Sequence, residues 1–155
     1  MKKSLVLLLI SSLVSGLYAR QPRTVVEPPF AFRNSGTLEI KRIELAPEST
    51  TVYIQAYFRP HNWIRISSET YIRAGAEGEK LTVRSADGMP HDTEFYMPET
   101  GRHDFSLSFP PVDPKTAKID LIESDCPDCF KIYDIDLTGK KAKPGRSALA
   151  KKYKK

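Results

Sequence analysis

Alternation of apolar and polar side chains runs through the middle of the chain. In Thr50 to Phe58 (TTVYIQAYF), Val52, Ile54, Ala56 and Phe58 fall on one side and Tyr53, Gln55 and Tyr57 on the other. That period of two is the signature of a β-strand. Both sides carry sizeable groups, which predicts a central strand. The same reading predicts strands at Thr37 to Leu45, Trp63 to Ser67, Thr70 to Ala74, Lys80 to Ser85, Arg102 to Phe109, Lys118 to Glu123 and Phe130 to Leu137. An edge strand is expected from Val25 to Arg33, broken at Pro28-Pro29 because proline cannot donate to a central ladder. Turn residues punctuate these runs at short intervals: Pro47-Glu48-Ser49, Arg59 to Asn62, Gly75 to Gly78, Asp87-Gly88, Glu99 to Gly101 and Pro110 to Pro114. Seven to nine short strands so separated predict an all-β fold, an antiparallel Ig-like β-sandwich. No amphipathic helix is legible inside this region.

The ends differ from the body. Met1-Lys2-Lys3 precedes an uncharged apolar run, Ser4 to Ala19, that closes on a small residue. This is the pattern of a secretory signal peptide over residues 1–19, cleaved after Ala19 or, alternatively, after Gly16. Arg20, Gln21 and Arg23 end the run short of the about 20 apolar residues that a spanning helix needs. No cysteine stands near the cleavage region to carry a lipid. The expected mature chain is one domain, residues 20–139, followed by a tail. Residues 20–139 hold fourteen basic and nineteen acidic side chains, a net −5, whereas Lys140 to Lys155 holds eight basic residues and no acid. The tail's block charge and few apolar groups predict a solvated, disordered end. Contact between that tail and an anionic surface is the functional expectation for it. An export signal argues against a nucleic-acid partner.

Cys126 and Cys129 are the only cysteines, in ESDCPDCF at residues 123 to 130. A catalytic dithiol needs a depressed thiol pKa, usually from a helix N-terminus or neighbouring cations. Here the pair lies between two predicted strands, and Asp120 to Asp136 holds six carboxylates against Lys131 alone. Zinc commonly takes four ligands, and the one pair would have to recruit distant His61, His91 or His103. Calcium would use the acids, but Asp134 and Asp136 alternate with Tyr133, Ile135 and Leu137, as a solvated strand face does. An oxidising compartment and the turn residues Pro127-Asp128 favour a local disulfide, Cys126–Cys129, as a structural staple. No metal and no cofactor are expected.

Other chemistry is sparse. His91-Asp92 and His103-Asp104 are neighbours along the chain, and neighbours in a strand point to opposite faces. Neither a G-x-S-x-G elbow nor a phosphate-cradling glycine loop is present, and no catalytic residues are assigned. Aromatic residues on alternating strands mostly fill sandwich cores. Met89 to Thr100 (MPHDTEFYMPET) stands apart, being either a short strand tucked inwards or a loop that presents apolar groups. From it Phe95, Tyr96 and Met97, together with Trp63, are the candidate binding residues.

Three stretches, YFRPHNWIRISSETYIRA, FYMPETGRHDFSLSFPPV and KIDLIESDCPDCFKIYDIDLTGK, resemble an exported bacterial β-sandwich domain over most of residues 25 to 140. In that family a comparable module can precede a thioredoxin-like domain in periplasmic disulfide reductases, and it also occurs alone. The resemblance implies an Ig-like accessory domain in the cell envelope, working beside thiol-disulfide enzymes. The sequence ends where a fused thioredoxin domain would begin, so the redox activity of the longer proteins is not expected to carry over. The functional expectation is an exported, non-catalytic structural or binding module, periplasmic or extracellular, with a protein or glycan partner in the cell envelope. A thiol-disulfide protein using Cys126 and Cys129 is the alternative, and a Ca²⁺-dependent adhesion domain a third.

Overall fold

The computed structural model describes residues 22–140; the expected signal peptide and all of the basic tail beyond Lys140 lie outside them. Within that range there is no helix, and the fold is all-β and sandwich-like rather than a barrel. Twelve strands form: β1 (Arg23–Val26), β2 (Phe32–Arg33), β3 (Leu38–Leu45), β4 (Thr50–Tyr57), β5 (Trp63–Ile64), β6 (Tyr71–Arg73), β7 (Leu81–Thr82), β8 (Ser85–Asp87), β9 (Phe95–Tyr96), β10 (Arg102–Phe109), β11 (Lys118–Ile122) and β12 (Lys131–Asp136). They make a five-stranded sheet in the order β1-β3-β4-β10-β8, a second in the order β2-β12-β11-β6-β7, and a two-stranded ribbon β5-β9, every pair antiparallel.

The strand count exceeds the expected seven to nine for a physical reason. Two segments read as single strands are each divided between the sheets. The chain leaves the first sheet after β1, turns at Glu27 (φ 44°) and Pro28-Pro29, and enters the second sheet as β2. On the opposite side it leaves the second sheet after β7 and joins the first as β8. The remaining addition is β9, inside the Met89 to Thr100 segment. Both flanks of the sandwich are thus turned by a chain that switches sheets, and the four edge strands are only two to four residues long. Short, interrupted edges limit pairing with other chains.

The core lies between the two large sheets. Ile43, Val52, Ile54, Leu107 and Phe109 meet Ile72, Ile119, Leu121, Ile132, Ile135 and Leu137, all buried. As expected from its two-sided pattern, β4 is the middle strand of its sheet. One departure from alternation matters. Ile132 pairs with Leu121 and Ile135 with Ile119, so Tyr133 and Asp134 together oppose Asp120 in a β-bulge. Asp134 takes a left-handed backbone (φ 54°), which an aspartate tolerates better than most residues. The buried Asp120 carboxylate accepts the Asp134 N–H at 3.0 Å and Arg73 Nε–H at 3.2 Å. Asp134 therefore belongs to a bulge, not to the regular solvated strand face that alternation predicted.

Candidate functional site

The end of the sandwich where β4 finishes and β10 begins carries both groups of residues singled out in the sequence. Beyond the Tyr57–Arg102 pair, regular pairing stops, and the two chains run on together through residues 58–62 and 97–101. Phe58 N–H donates to the Gly101 carbonyl at 3.0 Å, His61 N–H to Met97 O at 3.0 Å and Met97 N–H to Asn62 O at 2.9 Å. Gly101 sits at φ 63°, and a Cβ there would lie 2.7 Å from the Phe58 carbonyl oxygen, so only glycine lets the chains pass this closely. The ladder then resumes as the β5-β9 ribbon, with Trp63 opposite Tyr96 and Ile64 opposite Phe95.

Alternation splits this ribbon into two faces. Ile64 and Phe95 turn inwards: Ile64 is buried and Phe95 packs on the core, its ring 4.1 Å from the His103 imidazole. Trp63 and Tyr96 turn outwards as cross-strand partners, 48% and 60% exposed. Tyr96 O–H donates to Glu94 Oε2 at 2.9 Å, and nearby on the loop His61 Nε2–H donates to Glu99 Oε2 at 2.7 Å. Of the four candidate binding residues, the structure thus presents two. Met97 is 1% exposed and belongs to the core with Met89, and Phe95 is half-buried beneath the ribbon; the prolines that flank them in sequence do not push either side chain into solvent. The Met89 to Thr100 segment is both things the sequence allowed, a strand tucked against the core and an exposed aromatic.

His103 and Asp104 on β10 point apart as expected of strand neighbours, whereas His91 and Asp92 lie outside the named strands, with Asp92 at φ 54°. His103 Nε2–H donates to Gly88 O at 2.6 Å, whereas Asp104 accepts from Gln55 Nε2 at 2.7 Å. Asp92 accepts Ser68 N–H at 3.0 Å, and hydrogen bonding from Ser68 holds its carboxyl below the usual range. His91 Nε2 is buried without a hydrogen-bond partner. Among the described residues no group of three or more His, Cys, Asp or Glu is placed to hold a metal ion.

Cys126 and Cys129 form a disulfide, with Cα atoms 5.3 Å apart, at the tip of the β11–β12 hairpin. Glu123 N–H to Phe130 O closes the hairpin at 3.0 Å. The tip is held from three sides. Asn34 donates to Cys129 O at 2.8 Å and accepts Lys131 N–H at 2.7 Å. Lys131 Nζ donates to Cys126 O at 2.8 Å. Asp125 receives Lys80 Nζ at 2.8 Å and Tyr71 O–H at 3.1 Å, and Lys80 lies 4.6 Å from the Tyr71 ring centre. Lys80 first, then Tyr71, holds the Asp125 carboxyl below its ordinary range. The cluster of acids counted along the sequence is therefore less negative in space: Asp125 has Lys80, Asp120 has Arg73, and burial raises the pKa of Glu123. Sequence reasoning missed Lys80, Tyr71 and Asn34, which come from strands and loops far along the chain. The Ser-x-Cys spacing at Ser124, where a hydroxyl can cap the amide two residues on, was a legible signal.

No protein-family model, curated protein or solved structure matches the chain.

Proposed function

We propose that this protein is an exported binding module of the cell envelope, periplasmic or extracellular, whose signal peptide is residues 1–19 and whose Ig-like sandwich presents the β5-β9 ribbon to a protein or glycan partner. The observation that carries the reading is the Trp63–Tyr96 pair. The fold has a large core in which to hide both rings, yet it holds them side by side in solvent on a ribbon anchored by Ile64, Phe95 and Met97. Exposed tryptophan and tyrosine supply much of the binding free energy at protein contacts, and their faces also stack on sugar rings. Hydrogen-bonding groups at the rim, Glu94, His61 and Glu99, give such a surface directional contacts. A disulfide within the described domain agrees with an oxidising compartment, as does the resemblance to exported envelope modules.

Trp63 is the chain's single tryptophan, so its fluorescence reports directly on this surface. Titration with envelope glycan fragments and, separately, with envelope protein fractions is expected to shift its emission to the blue with one of the two. Tyr96→Ala is expected to weaken that titration about tenfold. Unchanged emission with both preparations would overturn the reading.

A further inference from the structure

The tip of the β11–β12 hairpin treats its two sulfur atoms differently. Cys126 is exposed and Cys129 half-buried. Ser124 Oγ lies 3.1 Å from Cys129 Sγ and accepts Cys126 N–H at 3.3 Å. A disulfide sulfur has no proton, so in the Oγ–Sγ contact the serine hydroxyl is the donor. With Cys126 N–H occupying an acceptor position on Ser124, the hydroxyl proton is directed at Cys129. Beside the disulfide, Ser68, Glu69, Tyr71, Lys80, Thr82 and Asp125 line a polar groove of about 350 Å³ that also reaches Ser124.

From this arrangement we propose that Cys126–Cys129 exchanges with thiols in a fixed direction, with Cys126 as the sulfur attacked and Cys129 as the leaving group. A donor thiolate bonds to Cys126 Sγ as the Cys126–Cys129 bond breaks, and the electron pair of that bond departs on Cys129. Ser124 O–H stabilises the new thiolate, since a hydrogen bond to a charged acceptor is stronger than one to a neutral acceptor. Exchange rate depends on which sulfur is attacked and on how readily the other leaves. A second thiol of the donor then attacks the mixed disulfide and releases Cys126. The donor dithiol is oxidised to a disulfide, and Cys126 and Cys129 take up its two electrons and two protons as free thiols. The groove beside the tip provides room for the chain bearing the donor thiols. This activity is separate from the aromatic surface and uses none of its residues.

The test uses the oxidised full chain and glutathione, with rapid acid quenching before the adduct can migrate and mass spectrometry to locate it. Glutathione is expected on Cys126 with Cys129 free, in at least about tenfold excess over the reverse adduct; Ser124→Ala is expected to slow first adduct formation about tenfold, the worth of one charge-assisted hydrogen bond, and Ser124→Thr to restore it. Adduct mainly on Cys129 or shared equally, no exchange in millimolar glutathione, or an unchanged rate in Ser124→Ala would each overturn the proposal. The wild-type adduct map decides the direction even if a Ser124 variant misfolds. A fluorescence titration of Trp63 that fails leaves this result unaffected, so the two proposals fall separately.

Discussion

Single residues in this molecule settle where buried polar groups can be tolerated. Asp120 is buried on β11 and accepts two donors, Asp134 N–H across the bulge and Arg73 Nε–H from β6. It links three adjacent strands through one carboxylate. Glu123, three residues on, illustrates the opposite balance. Its carboxylate accepts Phe130 N–H at 3.2 Å, but burial is the larger effect and raises its pKa. A carboxyl whose pKa is higher folded than unfolded binds its proton more tightly in the native state, so its contribution is most favourable at low pH and is lost as pH rises through the folded pKa. Glu123→Gln keeps the acceptor and removes the ionisation. In urea titrations the variant is expected to gain stability over the parent as pH rises above the ordinary carboxylate range. A stability difference independent of pH would contradict this role.

At the level of elements, the sequence displayed the strands and concealed their interruptions. Val52, Ile54 and Ala56 are buried as alternation required, because a half-buried strand must repeat every two residues. The same rule misplaced Asp134, since a bulge adds one residue without leaving any mark in the apolar pattern. It also merged Lys80 to Ser85 into one strand, where the chain in fact changes sheets, because the inward positions of both sheets look alike from sequence. Trp63 and Tyr96 were legible as aromatic residues in a turn-rich setting, but their pairing depends on a register between segments more than thirty residues apart. The β11–β12 hairpin supports a second prediction. Its tip keeps the Asn34, Lys131 and Lys80 contacts when the sulfur link is cut, and closing so short a loop is worth only about 2 kcal/mol on the chain-entropy estimate. The Cys126→Ser/Cys129→Ser variant is expected to unfold cooperatively in denaturant with an unfolding free energy lowered by about that amount. Loss of the folded state altogether would make the link essential.

For the molecule as a whole, charge divides as the chain does. The net −5 of residues 20–139 opposes the eight cations of Lys140 to Lys155, so binding to an anionic surface is expected of the end and not of the body. Vesicles rich in anionic lipid are expected to bind the full chain and to release it about tenfold or more as salt rises from about 0.05 to about 0.5 M, as the Debye length contracts. A chain ending at Thr138 is expected to bind at neither salt. Equal binding by the shortened chain would move the attraction to the sandwich. Composition was enough to foresee this division; sheet order was not, because strand neighbours far apart in sequence leave no local signature. The two crossings, β1 to β2 and β7 to β8, reach further than topology. By keeping the edge strands short and interrupted they limit the templates along which one copy could pair with the next into fibrils. Crowded copies of this domain are expected to stay dispersed.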